Sequence, residues 1–181
     1  AQDAALTLGL DRVLFVPAGT PPHKRNRVIS AGAARLAMVE AAIAGNGRFA
    51  VDPSELKAPG RPSYTIETLR ALAAKHPGAE LWLLIGADQW SEFATWREPE
   101  SILRIARVAV ISRDGRDAKN ATAEGGAIVA DARDAGVRRV PATRIDLSSS
   151  EIRRRVGVGE SVRYMVPDPV IEIIFREQLY R

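Results

Sequence analysis

Leu81-Trp82-Leu83-Leu84-Ile85-Gly86-Ala87-Asp88 is the stretch that decides the fold. Its five consecutive apolar residues predict a strand buried on both faces, and the glycine and the acid mark its end. Further strands are predicted over residues 12–16, 49–51 and 108–111, and a weak one over residues 137–140, with helical patterns between them. This alternation predicts an α/β fold built on a doubly wound parallel sheet with flanking helices.

The helical patterns have recognisable starts and stops. Leu36, Val39 and Ile43 recur at helical intervals between Ser30, a predicted N-cap, and Gly45, a predicted stop. Further helices are predicted over residues 1–8, 65–76, 99–105, 127–135, 150–156 and 169–180, and a loop over residues 113–126. Because there is no internal repeat and no linker, we expect one domain over residues 1–181.

The composition excludes several classes of protein. The 181 residues include no cysteine, which excludes a disulfide scaffold and a cysteine nucleophile. The two histidines, His23 and His76, are too few for a His-rich zinc centre, and we expect no resident metal. No apolar run reaches membrane-spanning length and no charged-then-apolar leader is present, so we expect a cytoplasmic protein without a membrane partner.

The turn after the strongest predicted strand carries the first candidate binding residues. In doubly wound sheets, ligands bind beyond the carboxyl ends of the strands. Gly86 permits close approach of the backbone, and Asp88 could accept hydrogen bonds from ribose hydroxyls. The alternative, which these residues alone favour, is that Asp88 is the N-cap of the next helix.

A serine cluster marks another predicted helix start. Ser148, Ser149 and Ser150 can cap the helix, and the free amides of a first helical turn bind phosphate well. Arg153 would add a charge-assisted donor there. The alternative is an ordinary cap with a surface arginine.

Two further segments offer candidate ligand contacts. After the strand predicted over residues 12–16, Pro17 and Gly19 shape a turn from which His23 and Lys24 can face a phosphate or a carboxylate. A basic surface loop is the alternative for that segment. Trp96 could stack on a planar ring, although most tryptophans belong to the core.

Three common motifs are absent from the sequence. Without a Gly-x-x-x-x-Gly-Lys-Ser/Thr loop, the chain is not a P-loop NTPase. Without Gly-x-Gly-x-x-Gly and Gly-x-Ser-x-Gly, neither a dinucleotide-dependent dehydrogenase nor an α/β-hydrolase is expected.

Taken in chain order, six segments resemble one family. They are residues 16–24, residues 63–69, residues 85–88, Trp96, residues 111–113 and residues 147–153. Together they are similar to bacterial nicotinate-nucleotide adenylyltransferases, over nearly the whole chain. The Pro-Pro-His-Lys and Ser-Tyr-Thr segments are fairly specific to this branch, whereas Ser-Ser-Ser-Glu-Ile-Arg is shared with the wider nucleotidyltransferase superfamily. The resemblance implies a Rossmann-like fold of the nucleotidyltransferase type.

The chain departs from this family at its start. The family opens with a strand and a Gly-rich turn containing His-x-Gly-His, whose histidines contact the ATP phosphates. Neither His23 nor His76 stands in such a motif, and Ala1 to Leu8 reads as the second half of a helix. We therefore expect the first strand and the phosphate-binding turn of this domain to lie upstream of Ala1.

The resemblance also implies a reaction and a set of site residues. The reaction is adenylyl transfer from ATP, with Mg²⁺, to nicotinate mononucleotide, giving deamido-NAD and pyrophosphate in NAD biosynthesis. Catalysis is expected of His23, Lys24 and Arg153. ATP binding is expected of Gly86, Asp88, Ser148, Ser149, Ser150 and Arg153, and binding of the pyridine nucleotide of Thr65, Trp96 and Arg113.

Several alternatives stay open. A sister enzyme would adenylylate nicotinamide mononucleotide or phosphopantetheine, and a module without the family's histidines would bind nucleotide without turnover. The net charge of +4 permits a nucleic-acid partner. However, no basic surface interleaved with aromatic residues is visible, so we expect none. The oligomeric state is left open.

Overall fold

The computed structural model describes residues 1–19, 30–57, 62–112 and 136–181. The chain forms two compact units: the first unit is Ala1–Asp11 with Tyr64–Arg144, and the second unit is Arg12–Ser63 with Ile145–Arg181. The strands described are β1 (Val13–Phe15), β2 (Phe49–Val51), β3 (Trp82–Gly86), β4 (Arg107–Ser112) and β5 (Val137–Pro141). The helices described are α1 (Gln2–Leu8), α2 (Gly32–Ile43), α3 (Thr65–Lys75), α4 (Ala87–Ser91), α5 (Pro99–Ile105), α6 (Ser149–Gly157) and α7 (Asp168–Arg176). Short 3₁₀ turns span Ser54–Lys57 and Phe93–Thr95.

The first unit contains a three-stranded parallel sheet in the order β3-β4-β5. Successive side chains of the central strand point to opposite faces. Val108 packs in a cluster with Ile66 of α3 and Ile102 of α5, whereas Ala109 packs with Ala4 of α1. Because helices cover both faces of this sheet, the predicted doubly wound arrangement is confirmed here.

The second unit pairs β1 and β2 in parallel, with Leu14 aligned on Ala50. Its helix α2 contacts α7. An apolar cluster joins α6 to α7 and contains Ile152, Val156, Val162, Val170 and Ile174. This cluster supports the start of α6, where the serine segment lies.

Most predicted elements are observed, with shifted ends. The helix predicted over residues 169–180 ends at Arg176, because Gln178 and Tyr180 have φ angles of 49° and 67°, outside right-handed helical geometry. The prediction that Ser30 caps α2 is wrong, since that helix begins at Gly32 without a side-chain cap. The predicted loop over residues 113–126 and the helix over residues 127–135 lie outside the described residues.

In the four described ranges, no helix has both the length and the apolar character needed to cross a bilayer.

Candidate functional site

The start of α6 offers a set of hydrogen-bond donors. Ser148 is the N-cap, and its Oγ accepts a hydrogen bond from the Glu151 amide at 3.1 Å. Its carbonyl accepts from the Ile152 amide at 3.1 Å. The amides of Ser149 and Ser150 have no acceptor in the described part of the chain, and both residues are exposed. Free amides at the positive end of the helix dipole are suited to an anion.

Arg153 stands apart from its two neighbouring arginines. Its Nη2 lies 3.3 Å from Ser149 Oγ and 3.5 Å from Ser150 Oγ, so it reaches back towards the helix start. The described ranges give it no carboxylate partner. Its positive charge is therefore available to a ligand at the serine cluster.

The charges of Arg154 and Arg155 are instead held by acids. Arg154 lies 2.9 Å from carboxylate oxygens of both Glu151 and Glu160, and Arg155 Nε lies 2.8 Å from Glu151 Oε1. Hydrogen bonds from Arg154, and then from Arg155, lower the pKa of Glu151 to about 2. A hydrogen bond from Arg154 likewise lowers the pKa of Glu160. Of the three consecutive arginines, only Arg153 is thus left without an acid among the residues described.

A cavity of about 300 Å³ opens beside this helix start. Ser149 and Arg153 supply polar groups to its lining, and Met38, Ile152 and Val170 supply apolar ones. The second unit thus places an apolar wall next to anion-binding donors, an arrangement that accepts a ligand with both characters.

Gly86 and Asp88 meet at the carboxyl end of β3. Gly86 is the N-cap of α4, and no side chain caps that helix. The interpretation of Asp88 as an N-cap is therefore wrong. Its exposed carboxylate folds back over Gly86, where Oδ1 occupies the space that a Cβ on residue 86 would need. The missing side chain of Gly86 thus lets an acceptor stand at the strand end.

Thr65 and Trp96 belong to segments that touch each other. Thr65 is the first residue of α3, and neither its amide nor that of Ile66 has an acceptor among the described residues. Trp96 is half-buried, with its ring centroid 5.4 Å from that of Phe93. The guanidinium of the next residue, Arg97, lies over the Tyr64 ring at 4.5 Å. Free amides and an aromatic face therefore lie in neighbouring segments of one unit.

The sequence analysis missed Arg35, which ties two backbone segments of the second unit. Its guanidinium donates to the carbonyls of Gly19 at 3.3 Å and Ser30 at 3.1 Å, and also to that of Ala18. No pattern in the sequence signals this role, because bonds to backbone carbonyls do not depend on the residue types of the partners. The predicted site residues His23, Lys24 and Arg113 lie outside the described residues.

Over the described part of the chain, no group of three or more His, Asp or Glu side chains is placed to hold a metal ion.

Known proteins resemble this chain along most of its length. Residues 1–155 match the family model described as cytidylyltransferase-like. A "Probable nicotinate-nucleotide adenylyltransferase" of Rubrobacter xylanophilus is 41% identical, over 100% of this chain and 83% of that protein. A protein of the same name from Thermomicrobium roseum is 43% identical, over 96% of this chain and 79% of that protein.

A solved structure supports the fold. The Plasmodium falciparum nicotinic acid mononucleotide adenylyltransferase complexed with NaAD has a TM-score of 0.68 and 15% identity, covering 97% of this chain and 90% of that chain. The predicted Rossmann-like nucleotidyltransferase fold and the resemblance carried by the six segments are both confirmed. By these matches the chain belongs to the nicotinate-nucleotide adenylyltransferase family, within the cytidylyltransferase-like nucleotidyltransferases.

Proposed function

We propose that this protein transfers the adenylyl group of ATP to nicotinate mononucleotide, giving deamido-NAD and pyrophosphate in NAD biosynthesis. Relatives that are 41% and 43% identical over nearly the whole chain carry the name of this enzyme. The geometric observation that carries the proposal is Arg153, a cation without an acid partner among the described residues, at a serine-capped helix start. That arrangement suits the phosphates of a nucleotide.

The reaction needs alignment and charge stabilisation rather than a covalent enzyme intermediate. An oxygen of the nicotinate mononucleotide phosphate attacks the α-phosphorus of ATP. The bond from that phosphorus to the bridging oxygen breaks, and pyrophosphate leaves with the electron pair. Negative charge grows on the leaving group, and preorganised donors stabilise it most in the transition state.

The start of α6 would hold the phosphates of ATP. We assign the amides of Ser149 and Ser150 and the hydroxyl of Ser148 to this role. Arg153 would supply the positive charge that offsets the developing negative charge on pyrophosphate.

The end of β3 and the region around Trp96 would hold the nucleoside parts of the substrates. The Asp88 carboxylate would accept hydrogen bonds from the ribose hydroxyls of ATP, at the strand end that Gly86 keeps open. Trp96 would stack on the pyridine ring, and the amides at Thr65 would receive its carboxylate.

The remaining assignments rest on the family resemblance. His23 and Lys24 would face the phosphates near the point of transfer, and Arg113 would contact the pyridine nucleotide. Nucleotidyltransferases generally take ATP with a divalent metal, and we propose that it is Mg²⁺, bound as part of the substrate. We further propose that residues 1–181 belong to one nucleotidyltransferase domain and that the protein acts in the cytoplasm.

A substrate panel tests this function. The purified chain is supplied with ATP, Mg²⁺ and either nicotinate mononucleotide, nicotinamide mononucleotide or phosphopantetheine. Pyrophosphate release gives the rate, and chromatography with mass detection identifies the dinucleotide. We expect the highest kcat/KM with nicotinate mononucleotide.

Each other outcome points elsewhere. A higher kcat/KM with either of the other acceptors would identify a sister adenylyltransferase. Binding of ATP without release of pyrophosphate in the presence of any of the three acceptors would identify a nucleotide-binding module.

A further inference from the structure

Arg97 holds the start of α3 at two points. Its guanidinium lies 4.5 Å from the centroid of the Tyr64 ring, and Tyr64 is the N-cap of that helix. Its Nη1 also lies 3.1 Å from Glu67 Oε1, in the first turn. A planar guanidinium can stack on an aromatic face and donate a hydrogen bond at the same time, which an ammonium group does less well.

The next residue makes a second tie to the same helix. Glu98 Oε2 lies 2.6 Å from Arg70 Nη2, and the hydrogen bond from Arg70 lowers the pKa of Glu98. Glu98 has a left-handed φ of 53° directly before Pro99, so this turn is a conformation that non-glycine residues adopt rarely.

The two ties form a crossed pair of charges. The consecutive residues Arg97 and Glu98 meet an acid and a base on α3, Glu67 and Arg70, which are three positions apart. Residues at that spacing lie on one helix face. Opposite charges therefore meet only when Arg97 lies next to Glu67 and Glu98 next to Arg70. Exchanging the two partners would place like charges together.

Trp96 lies immediately before this paired turn. Its inner side packs on Phe93, whose side chain is fully buried. The core thus fixes one side of the indole. Arg97 and Glu98 fix the backbone after Trp96 against α3, at whose start the free amides of Thr65 and Ile66 lie.

We propose that the turn Arg97-Glu98 is a positioning element that sets the Trp96 indole relative to the start of α3, and thereby determines affinity for the pyridine nucleotide. This inference rests on the proposed function, which assigns both Trp96 and the free amides at the start of α3 to the same substrate. Arg97 acts through Trp96 and the α3 amides and need not touch the substrate. Its loss therefore weakens pyridine-nucleotide binding and spares ATP.

Calorimetric binding of nicotinate mononucleotide to Arg97→Ala tests the proposal. We expect Kd to rise about 10-fold, because a misplacement of about 1 Å can cost up to about 100-fold where groups must be aligned. The Kd of a non-hydrolysable ATP analogue is expected to stay within about twofold. The matched control is Arg104→Ala, which removes an exposed arginine whose Glu100 partner is 4.0 Å away on the same helix.

A double-mutant cycle separates positioning from general damage. Glu67→Ala should also raise the Kd for nicotinate mononucleotide. Arg97→Ala/Glu67→Ala should be no worse than Arg97→Ala alone, because Glu67 acts through its contact with Arg97. Fully additive effects, or equal losses for both ligands, would overturn the positioning role.

The outcomes distinguish this inference from the proposed function. If the wild-type chain binds nicotinate mononucleotide and Arg97→Ala binds it equally well, the positioning role is wrong and the function stands. If the wild-type chain binds it without turnover, the enzymatic proposal fails and the Kd values still decide the positioning role. No binding by the wild-type chain would overturn both.

Discussion

The start of α6 and the region around Trp96 are built in opposite ways. At α6, the six consecutive residues Ser148 to Arg153 supply a cap, free amides and a cation with no acid partner among the described residues. The three serines and Arg153 are exposed. Around Trp96, residues of α3, of the segment from Trp90 to Trp96 and of α5 pack in one buried cluster that includes Trp90 and Phe93. The first region presents hydrogen-bond donors suited to an anionic group, and the second presents the face of an aromatic ring beside free amides.

This contrast indicates a division of labour between the two regions. Donors at a helix start recognise phosphate without needing a shaped pocket, because dipole, amides and cation act together. A flat heterocycle needs a fixed aromatic surface, which requires tertiary packing. Variants in the two regions should therefore affect different substrates.

The largest effect is expected for Arg153→Ala. Removing a preorganised donor for transition-state charge typically costs 10²–10³-fold, so kcat/KM for ATP should fall about 100-fold. The matched control is Arg154→Ala, whose guanidinium is already engaged by Glu151 and Glu160 and should matter less than about threefold. Pyrophosphate-release kinetics with thermal melting of each variant provide the measurement. Similar losses in both variants would contradict the assignment.

The second effect concerns Gly86→Ala. A Cβ at residue 86 would displace the Asp88 carboxylate, so kcat/KM for ATP should fall about 30-fold, as expected for loss of a charged hydrogen bond. Asp88→Ala should give a similar loss, and the double variant should lose little more. Gly47→Ala, at a glycine with open space around it, is the control. Steady-state kinetics of the four variants provide the measurement. If the loss in the double variant equals the losses of Gly86→Ala and Asp88→Ala combined, the account is contradicted.

A third, smaller effect is expected for Trp96→Ala. Stacking of an aromatic side chain on a base contributes about 1–3 kcal/mol, so KM for nicotinate mononucleotide should rise about 10-fold or more. KM for ATP should change little, and Trp96→Phe, which keeps a ring, should fall between wild type and Trp96→Ala. Equal losses for both substrates would indicate that the indole serves only to pack on Phe93.

The smallest effect is on stability at acid pH. Hydrogen bonds from Arg154 and Arg155 hold the pKa of Glu151 at about 2, below its ordinary value of 4.5. The folded state therefore binds fewer protons, and this contribution is present above pH 4.5 and is lost as the pH falls towards 2. Glu151→Gln should lose less thermal stability over that interval, as seen in melting curves. Because these groups are exposed, the difference should be modest.

The fold was largely predictable because its signals are local. The helix predicted over residues 99–105 matches α5, and the central apolar runs match β3 and β4 within one residue at each end. The end of α7 was not predictable, because Gln178 and Tyr180 adopt left-handed conformations that their residue types do not favour. At α2, Ala31 rather than Ser30 occupies the N-cap position, a one-residue shift at a helix end that residue type alone does not settle.

The two site regions differ in predictability for the same reason. The serine cap and Arg153 are contiguous, so helix-start chemistry alone indicated a phosphate site. The spacings of Arg154 and Arg155 from Glu151, three and four residues, could have indicated that these two arginines are paired. The contribution of Glu160 could not be predicted, because it joins the network from outside the helix. The pairing of Arg97 with Tyr64 and Glu67 likewise joins residues 30 or more positions apart, which only the fold brings together.

Equilibrium binding to two variants tests the division of labour most directly. Calorimetry would measure a non-hydrolysable ATP analogue and nicotinate mononucleotide against Arg153→Ala and Trp96→Ala. The account predicts a crossed result, in which Arg153→Ala weakens the ATP analogue and Trp96→Ala weakens nicotinate mononucleotide. If both variants lose the same ligand, or each loses both equally, the two regions do not divide the substrates and the account is contradicted.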